Sequence, residues 1–220
     1  MLRFFAPYKK FFIALLILSG VIIYLIYQAL VPKRVLPIFE PTRINSELVD
    51  STVQEIRKYH KIADFKLINH LGDTVSQKNY ENKIYVADFF FTTCQTICPK
   101  MTQNMHLLQR KLKDKNVLLL SHTVMPEVDS VPELKKYAEK KGVNPEQWNL
   151  VTGSKKELYD LARKSYLVAK AKPYSKYDLI HTENFVLVDR KKRIRGYYDG
   201  TDLEAMDQLL LDIELLLAKN

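Results

Sequence analysis

From Phe11 to Val31 the chain runs 21 residues without a charged side chain, and nearly all of them are apolar. At a helical rise of about 1.5 Å per residue this run crosses a hydrocarbon core of roughly 30 Å, so it reads as a single transmembrane helix. It is longer than the apolar segment of a signal peptide, and no small-x-small cleavage site follows in Gln28-Ala29-Leu30-Val31-Pro32. Residues 11–31 are therefore expected to be a retained anchor. Arg3, Lys9 and Lys10 precede the run in a short head, residues 1–10, which sets the N-terminus inside and the remaining chain outside. That head lacks the length and the Arg- and Ser-rich character of a transit peptide. The expected location is a bacterial cytoplasmic (inner) membrane, with the domain in the periplasm or on the outer face.

Residues 32–60 carry Pro32, Pro37 and Pro41, followed by a stretch of weak helical periodicity, and read as a linker. Residues 61–220 are enough for one domain with a real core. The chain has a net charge of +9, but beyond residue 44 there are 28 Lys and Arg against 24 Asp and Glu, a net of only +4. Such a domain is not a nucleic-acid binder by charge. Its one dense cluster is Arg190-Lys191-Lys192-Arg193, with Arg195 beyond. This reads first as a solvated hairpin turn, and second as a docking point for an acidic partner or lipid headgroups.

The element order alternates. Residues 64–68 and 74–76 flank a turn containing Gly72 and predict a hairpin. Residues 83–92 predict a strand whose Phe89-Phe90-Phe91 is apolar without alternation, as in a strand covered on both faces. Residues 101–112 predict a helix, 116–124 a second buried strand, and 131–141 a helix bounded by Ser130 and Gly142. A short strand at 149–151 precedes a helix to residue 164 that opens on the capping box Ser154-Lys155-Lys156-Glu157. A hairpin at 185–188 and 194–198 and a final helix at about 202–217 complete the chain. Together these predict a three-layer α/β fold in which chemistry sits at the carboxyl ends of the parallel strands.

The two cysteines of the chain, Cys94 and Cys98, lie just past the first buried strand. On a helix, positions i and i+4 share a face, which aims both sulfurs at one point. Two chemistries follow: a soft metal ion held between them, or a disulfide that opens and closes. An extracytoplasmic domain permits either.

Thr92, Cys94, Cys98 and Pro99 resemble the Thr-x-Cys-x-x-x-Cys-Pro segment of the Sco (SenC-type) copper-chaperone family, which has a thioredoxin-like fold with an N-terminal hairpin. Residues 121–133 resemble that family's Ser-x-x-Val-Asp-Pro-Glu-x-Asp stretch, and 150–154 its Leu-Thr-Gly-Ser. The resemblance spans about residues 60–218. It implies a copper ion bound by Cys94, Cys98 and a distant histidine, here His181, and delivery to the copper-centre subunit of cytochrome c oxidase or another copper or thiol acceptor protein. Two departures stand out. Gln95, Thr96 and Ile97 replace the proline and acidic residue often found between the cysteines, and Met125 replaces an aspartate, where it reads as core filling.

The other histidines fit less well. His106 follows Cys98 by eight residues, about 12 Å along a helix. His60 and His70 are expected to be exposed and polar, and His122 to be a core histidine of its strand. A rival reading makes Cys94 and Cys98 the redox pair of an extracytoplasmic thiol–disulfide oxidoreductase. Against that as the sole role, thioredoxin-type enzymes use Cys-x-x-Cys and a cis-proline facing it, and residues 180–184 contain no proline. A purely structural disulfide would close too short a loop to constrain the unfolded chain much.

Overall fold

The computed structural model describes residues 8–30, 34–43, 52, 53, 55, 59–169, 180 and 182–218. It divides into two compact units, Met1–Val35 and Leu36–Asn220. In the first, α1 (Lys9–Leu30) is long and apolar enough to cross a bilayer and buries none of its residues.

The second unit is built on one seven-stranded sheet. Its strands are β1 (Lys66–Asn69), β2 (Thr74–Ser76), β3 (Ile84–Phe90), β4 (Val117–Thr123), β5 (Trp148–Thr152), β6 (Asn184–Val188) and β7 (Ile194–Asp199), in the spatial order β2-β1-β5-β4-β3-β6-β7. β3, β4 and β5 are parallel; the flanking pairs are antiparallel. Every residue of β3 is buried, which explains its unbroken apolar pattern: both faces are covered. Odd and even positions of β3 serve two cores. Tyr85, Ala87 and Phe89 pack on one face with α4 (Lys155–Asp160) and the π-helical turn Leu161–Ser165 that continues it. Ile84, Val86 and Phe90 pack on the other with α2 (Cys98–Lys111), α3 (Val131–Lys141) and α5 (Leu203–Leu217).

Element ends follow local chemistry. Gly142 closes α3 at φ +66°, the left-handed region that a Cβ disfavours. The Ser154 hydroxyl accepts the Glu157 N–H at 3.2 Å at the start of α4. The helix expected over 101–112 begins earlier, at Cys98, and the one expected to reach residue 164 ends its α-helical part at Asp160.

His60 and His70 correct the expectation that they are exposed, for both are buried. His60 Nε2 lies 2.8 Å from the Ser165 carbonyl, and its N–H donates to Glu40. The Leu150 N–H donates to His70 Nδ1, and burial pushes the His70 pKa down. His122 is a core histidine: it stacks on Phe89 at 4.7 Å, and burial pushes its pKa down to about 4. Met125 is partly buried against the first core, in keeping with a filling role.

Part of the segment read as linker lies on the domain. Leu36 is buried in the second core, and Phe39 N–H donates to the Ile194 carbonyl at 3.0 Å. Arg195 fastens this segment: its guanidinium reaches the carbonyls of Leu36 at 2.6 Å and Pro37 at 2.8 Å, and the Asp189 carboxylate at 2.9 Å. Burial opposes ionisation of Asp189, yet the Arg193 and Arg195 side chains and the Arg193 N–H outweigh it and hold its pKa below the usual carboxylate range. Removing one partner of a buried ion pair is costly. Arg195→Ala should therefore lower the unfolding free energy by about 3 kcal/mol in urea melts; a loss under about 1 kcal/mol would show that this fork does not hold the segment.

Candidate metal centre

The site begins where β3 ends. Val124 N–H donates to the Phe90 carbonyl at 2.9 Å, continuing the β3–β4 pairing by one residue. Asp129, fully buried, then clamps both chains. Its carboxylate accepts the Thr92 N–H at 3.2 Å and the Thr92 hydroxyl at 2.5 Å, and it also accepts the Thr123 hydroxyl. These hydrogen bonds tie the exit of β3 to the end of β4. They fix the direction in which the backbone leaves β3, two residues before Cys94.

Cys94 and Cys98 do not share a helix face, contrary to the i, i+4 expectation. Cys94 lies in a turn, its N–H donating to the Phe91 carbonyl at 3.3 Å, and α2 starts at Cys98. Pro99 gives the reason. In the first turn of a helix its missing N–H costs nothing, but a helix beginning at Cys94 would place it in the interior, against the carbonyl of Gln95. The turn nonetheless brings the sulfurs close enough for each to shift the pKa of the other. Both thiols are free.

The two sulfurs differ in character. Burial by itself would raise the Cys94 pKa. However, hydrogen bonds from the Thr96 hydroxyl at 3.5 Å, the Cys98 thiol and the Cys98 and Thr96 N–H groups together lower it to about 7. Cys98 is buried in the second core. Burial, then its donation to Cys94 and the nearby charges of Cys94 and Asp88, push its pKa up to about 12. One sulfur is therefore half-exposed and readily ionised near neutral pH, and its neighbour is a buried thiol.

Two groups beneath the pair escaped the sequence reading. Asp88 is a lone carboxylate in an otherwise apolar strand, which is itself a signal. It lies on the α2 face of the sheet with Val86 and Phe90. Burial raises its pKa to about 7, opposed by the Ser121 hydroxyl on the paired strand. Tyr137 reaches over from α3, where its hydroxyl lies 2.8 Å from that of Thr102, which in turn donates to the Cys98 carbonyl.

His181 lies outside the described residues, so the structure places two of the three expected ligands. Among the described residues no group of three His, Cys, Asp or Glu side chains is assembled to hold a metal. The chain on either side is described. Ile180 and Thr182 are buried, the Asn184 N–H donates to the Thr182 hydroxyl, and β6 then runs antiparallel to β3 with Ala87 opposite Val186. The entry to β6 therefore lies at the carboxyl end of β3, the end from which Cys94 departs. His122 pairs with Phe89 in register and shares its face, opposite the face on which Cys98 is buried.

A central parallel β-sheet layered by helices, with a cysteine pair at a strand-to-helix turn, defines a thioredoxin-like domain carrying a Cys-x-x-x-Cys site. The SCO1/SenC family model matches residues 53–217, and the chain belongs to that family. It is 34% identical over 158 residues to the SCO1 protein homolog of Bacillus subtilis (strain 168), covering 70% of this chain and 82% of that one. Among solved structures it is similar to BsSco, a member of the Sco family of cytochrome c oxidase assembly proteins in which a disulfide switch has been identified. That likeness has a TM-score of 0.63 at 31% identity and covers 73% of this chain and 95% of that one. The fold is also shared by yeast Sco1 with copper bound, at a TM-score of 0.57 and 24% identity, covering 71% of this chain and 90% of that one.

The asymmetry of the sulfurs is measurable by alkylation of the reduced chain with iodoacetamide across pH. Because only the thiolate reacts, Cys94 should label with a midpoint near pH 7 and Cys98 should stay unlabelled up to about pH 10. Equal labelling of both at neutral pH would contradict the assigned environments.

Proposed function

We propose that this chain is a membrane-anchored copper metallochaperone that serves assembly of the cytochrome c oxidase copper centre. In this reading residues 1–10 are a cytoplasmic head, 11–31 a single span, 32–60 a linker and 61–220 the Sco domain, held in the periplasm or on the outer face. Cys94, Cys98 and His181 bind one copper ion. The observation that carries the proposal is the pairing of two free thiols at the β3–α2 turn, in a chain of the SCO1/SenC family. Two sulfurs and an imidazole form a soft set suited to copper(I). The half-exposed Cys94 suits transfer, because an incoming ligand on the acceptor can reach the ion from that side while Cys98 keeps its hold. The acceptor is the copper-centre subunit of the oxidase or another copper or thiol protein.

A second reading is favoured by the unequal thiols. A sulfur ionised near pH 7 beside a buried thiol is the arrangement of an attacking and a resolving cysteine in thiol–disulfide exchange. Cys94 would attack a disulfide of the acceptor, releasing one of its sulfurs as a thiolate, and Cys98 would then displace the second, leaving Cys94–Cys98 oxidised and the acceptor reduced.

Titration of the reduced full chain with copper(I) against a competing chelator separates these readings. One tight equivalent is expected, weakened at least about tenfold in each of Cys94→Ser, Cys98→Ser and His181→Ala. Unchanged affinity in His181→Ala would remove that residue from the ligand set. No tight binding in the parent chain, together with a readily reducible Cys94–Cys98 disulfide, would favour the exchange reading.

A further inference from the structure

Two basic segments of the domain meet at one end of the sheet. Beyond residue 44 the net charge is +4, yet two short segments each carry +3: residues 110–115, with four cations against Asp114, and residues 189–193, with four against Asp189. Everything else in the domain sums to slightly acidic. The sheet register brings the two segments together. Ile84, the first residue of β3, pairs with Val117 of β4, and the adjacent Tyr85 pairs with Val188 of β6. One basic segment directly precedes Val117 and the other directly follows Val188, so they flank the amino-terminal end of β3. Arg110, Lys111, Lys113 and Lys191 are exposed there. Lys61, Lys78, Arg190, Lys191 and Lys192 line one cleft there, against the acidic Asp64 and Glu81. Glu214 pairs with Lys115 and Asp64 with Lys192, and these carboxylates offset two of the cations, so Arg110, Lys111, Lys113 and Lys191 carry the positive field of this end.

The same end receives the chain from α1. Arg195 holds the carbonyls of Leu36 and Pro37, and Phe39 pairs with Ile194, immediately after the basic turn. Leu30 ends α1, and six residue steps separate it from Leu36. At about 3.5 Å each, they span at most roughly 20 Å. The cysteine pair departs from the other end of β3, seven residues away, which at about 3.3 Å per residue is roughly 20 Å.

We infer that the basic end formed by residues 110–115 and 189–193 docks on the anionic phosphate headgroups of the membrane that α1 crosses, so that Cys94 and Cys98 face away from the bilayer. The inference rests on residues 11–31 spanning a membrane. The covalent leash keeps the lipid surface within reach at all times, which no separate acidic protein matches. Headgroup potential acts only within about a Debye length, on the order of 10 Å. Docking therefore adds an orientation that the leash alone does not impose.

The test uses the full chain reconstituted in vesicles of phosphatidylcholine alone and of phosphatidylcholine with about one-third phosphatidylglycerol. Alkaline carbonate washing first checks the anchor, and acetylation rates of individual lysines are then read by mass spectrometry. Lys113 and Lys191 should react at least about threefold more slowly in the anionic vesicles at low salt, and the protection should vanish at about 1 M salt. Lys100, beside the cysteines, should be indifferent to lipid charge. In Lys191→Glu/Lys192→Glu, protection of Lys113 should be lost. A chain released by carbonate would overturn the anchor and this inference together. A chain that is retained but shows equal rates in both vesicles would overturn the docking alone, as would protection of Lys100, and would point to an acidic protein as the partner of this face.

Discussion

β3 is buried on both faces over all seven of its residues, and the rest of the domain is arranged around that fact. A strand with no solvent face must be paired on both edges and covered by two layers. Here β4 and β6 supply the edges, the second core with α2, α3 and α5 covers one face, and the first core with α4 and its π-helical continuation covers the other. A strand so enclosed emerges in a fixed direction. The Asp129 clamp on Thr92 and Thr123 and the helix start imposed by Pro99 convert that direction into the placement of two sulfurs.

The chemistry follows from how differently the two sulfurs leave this frame. Cys98 is buried within the second core, whereas Cys94 is half-exposed and packs against its edge. The donors that lower the Cys94 pKa are local: a hydroxyl two residues on, two N–H groups and the neighbouring thiol. Between the cysteines, where the resembling family often has an acidic residue, this chain has Gln95, Thr96 and Ile97. A hydroxyl that donates to the thiolate there stabilises the charge, whereas a carboxylate would oppose it. In the proposed copper reading, an anchored sulfur beside an accessible one suits an ion that must be released again. Membership of the SCO1/SenC family accords with that use.

Much of this was legible in the residues. The unbroken Phe89-Phe90-Phe91 run marked the central strand, Gly142 and Ser154 marked helix ends, and the cysteine pair with its trailing proline marked the strand-to-helix turn where the thiols lie. Most of what was misread depends on contacts distant in sequence. His60 and His70 are buried because Ser165 and Leu150, 105 and 80 residues on, supply their partners, and no local pattern records that. The i, i+4 reading of the cysteines failed on a local rule that Pro99 already carried. Asp129 was visible only as part of a motif; its role as a clamp required knowing that Thr92, two residues past β3, and Thr123, the last residue of β4, leave adjacent parallel strands side by side. Arg195 looked like part of a basic surface cluster, but it is buried because the segment at Leu36 folds back over it.

X-ray absorption at the copper edge of the copper(I)-loaded full chain tests the central claim most directly, because it counts donor atoms around the ion. The expected spectrum fits two sulfur scatterers and one imidazole nitrogen, and His181→Ala should lose the nitrogen while keeping both sulfurs. A parent spectrum with a single sulfur, or one unaltered by His181→Ala, would contradict a copper site made of Cys94, Cys98 and His181.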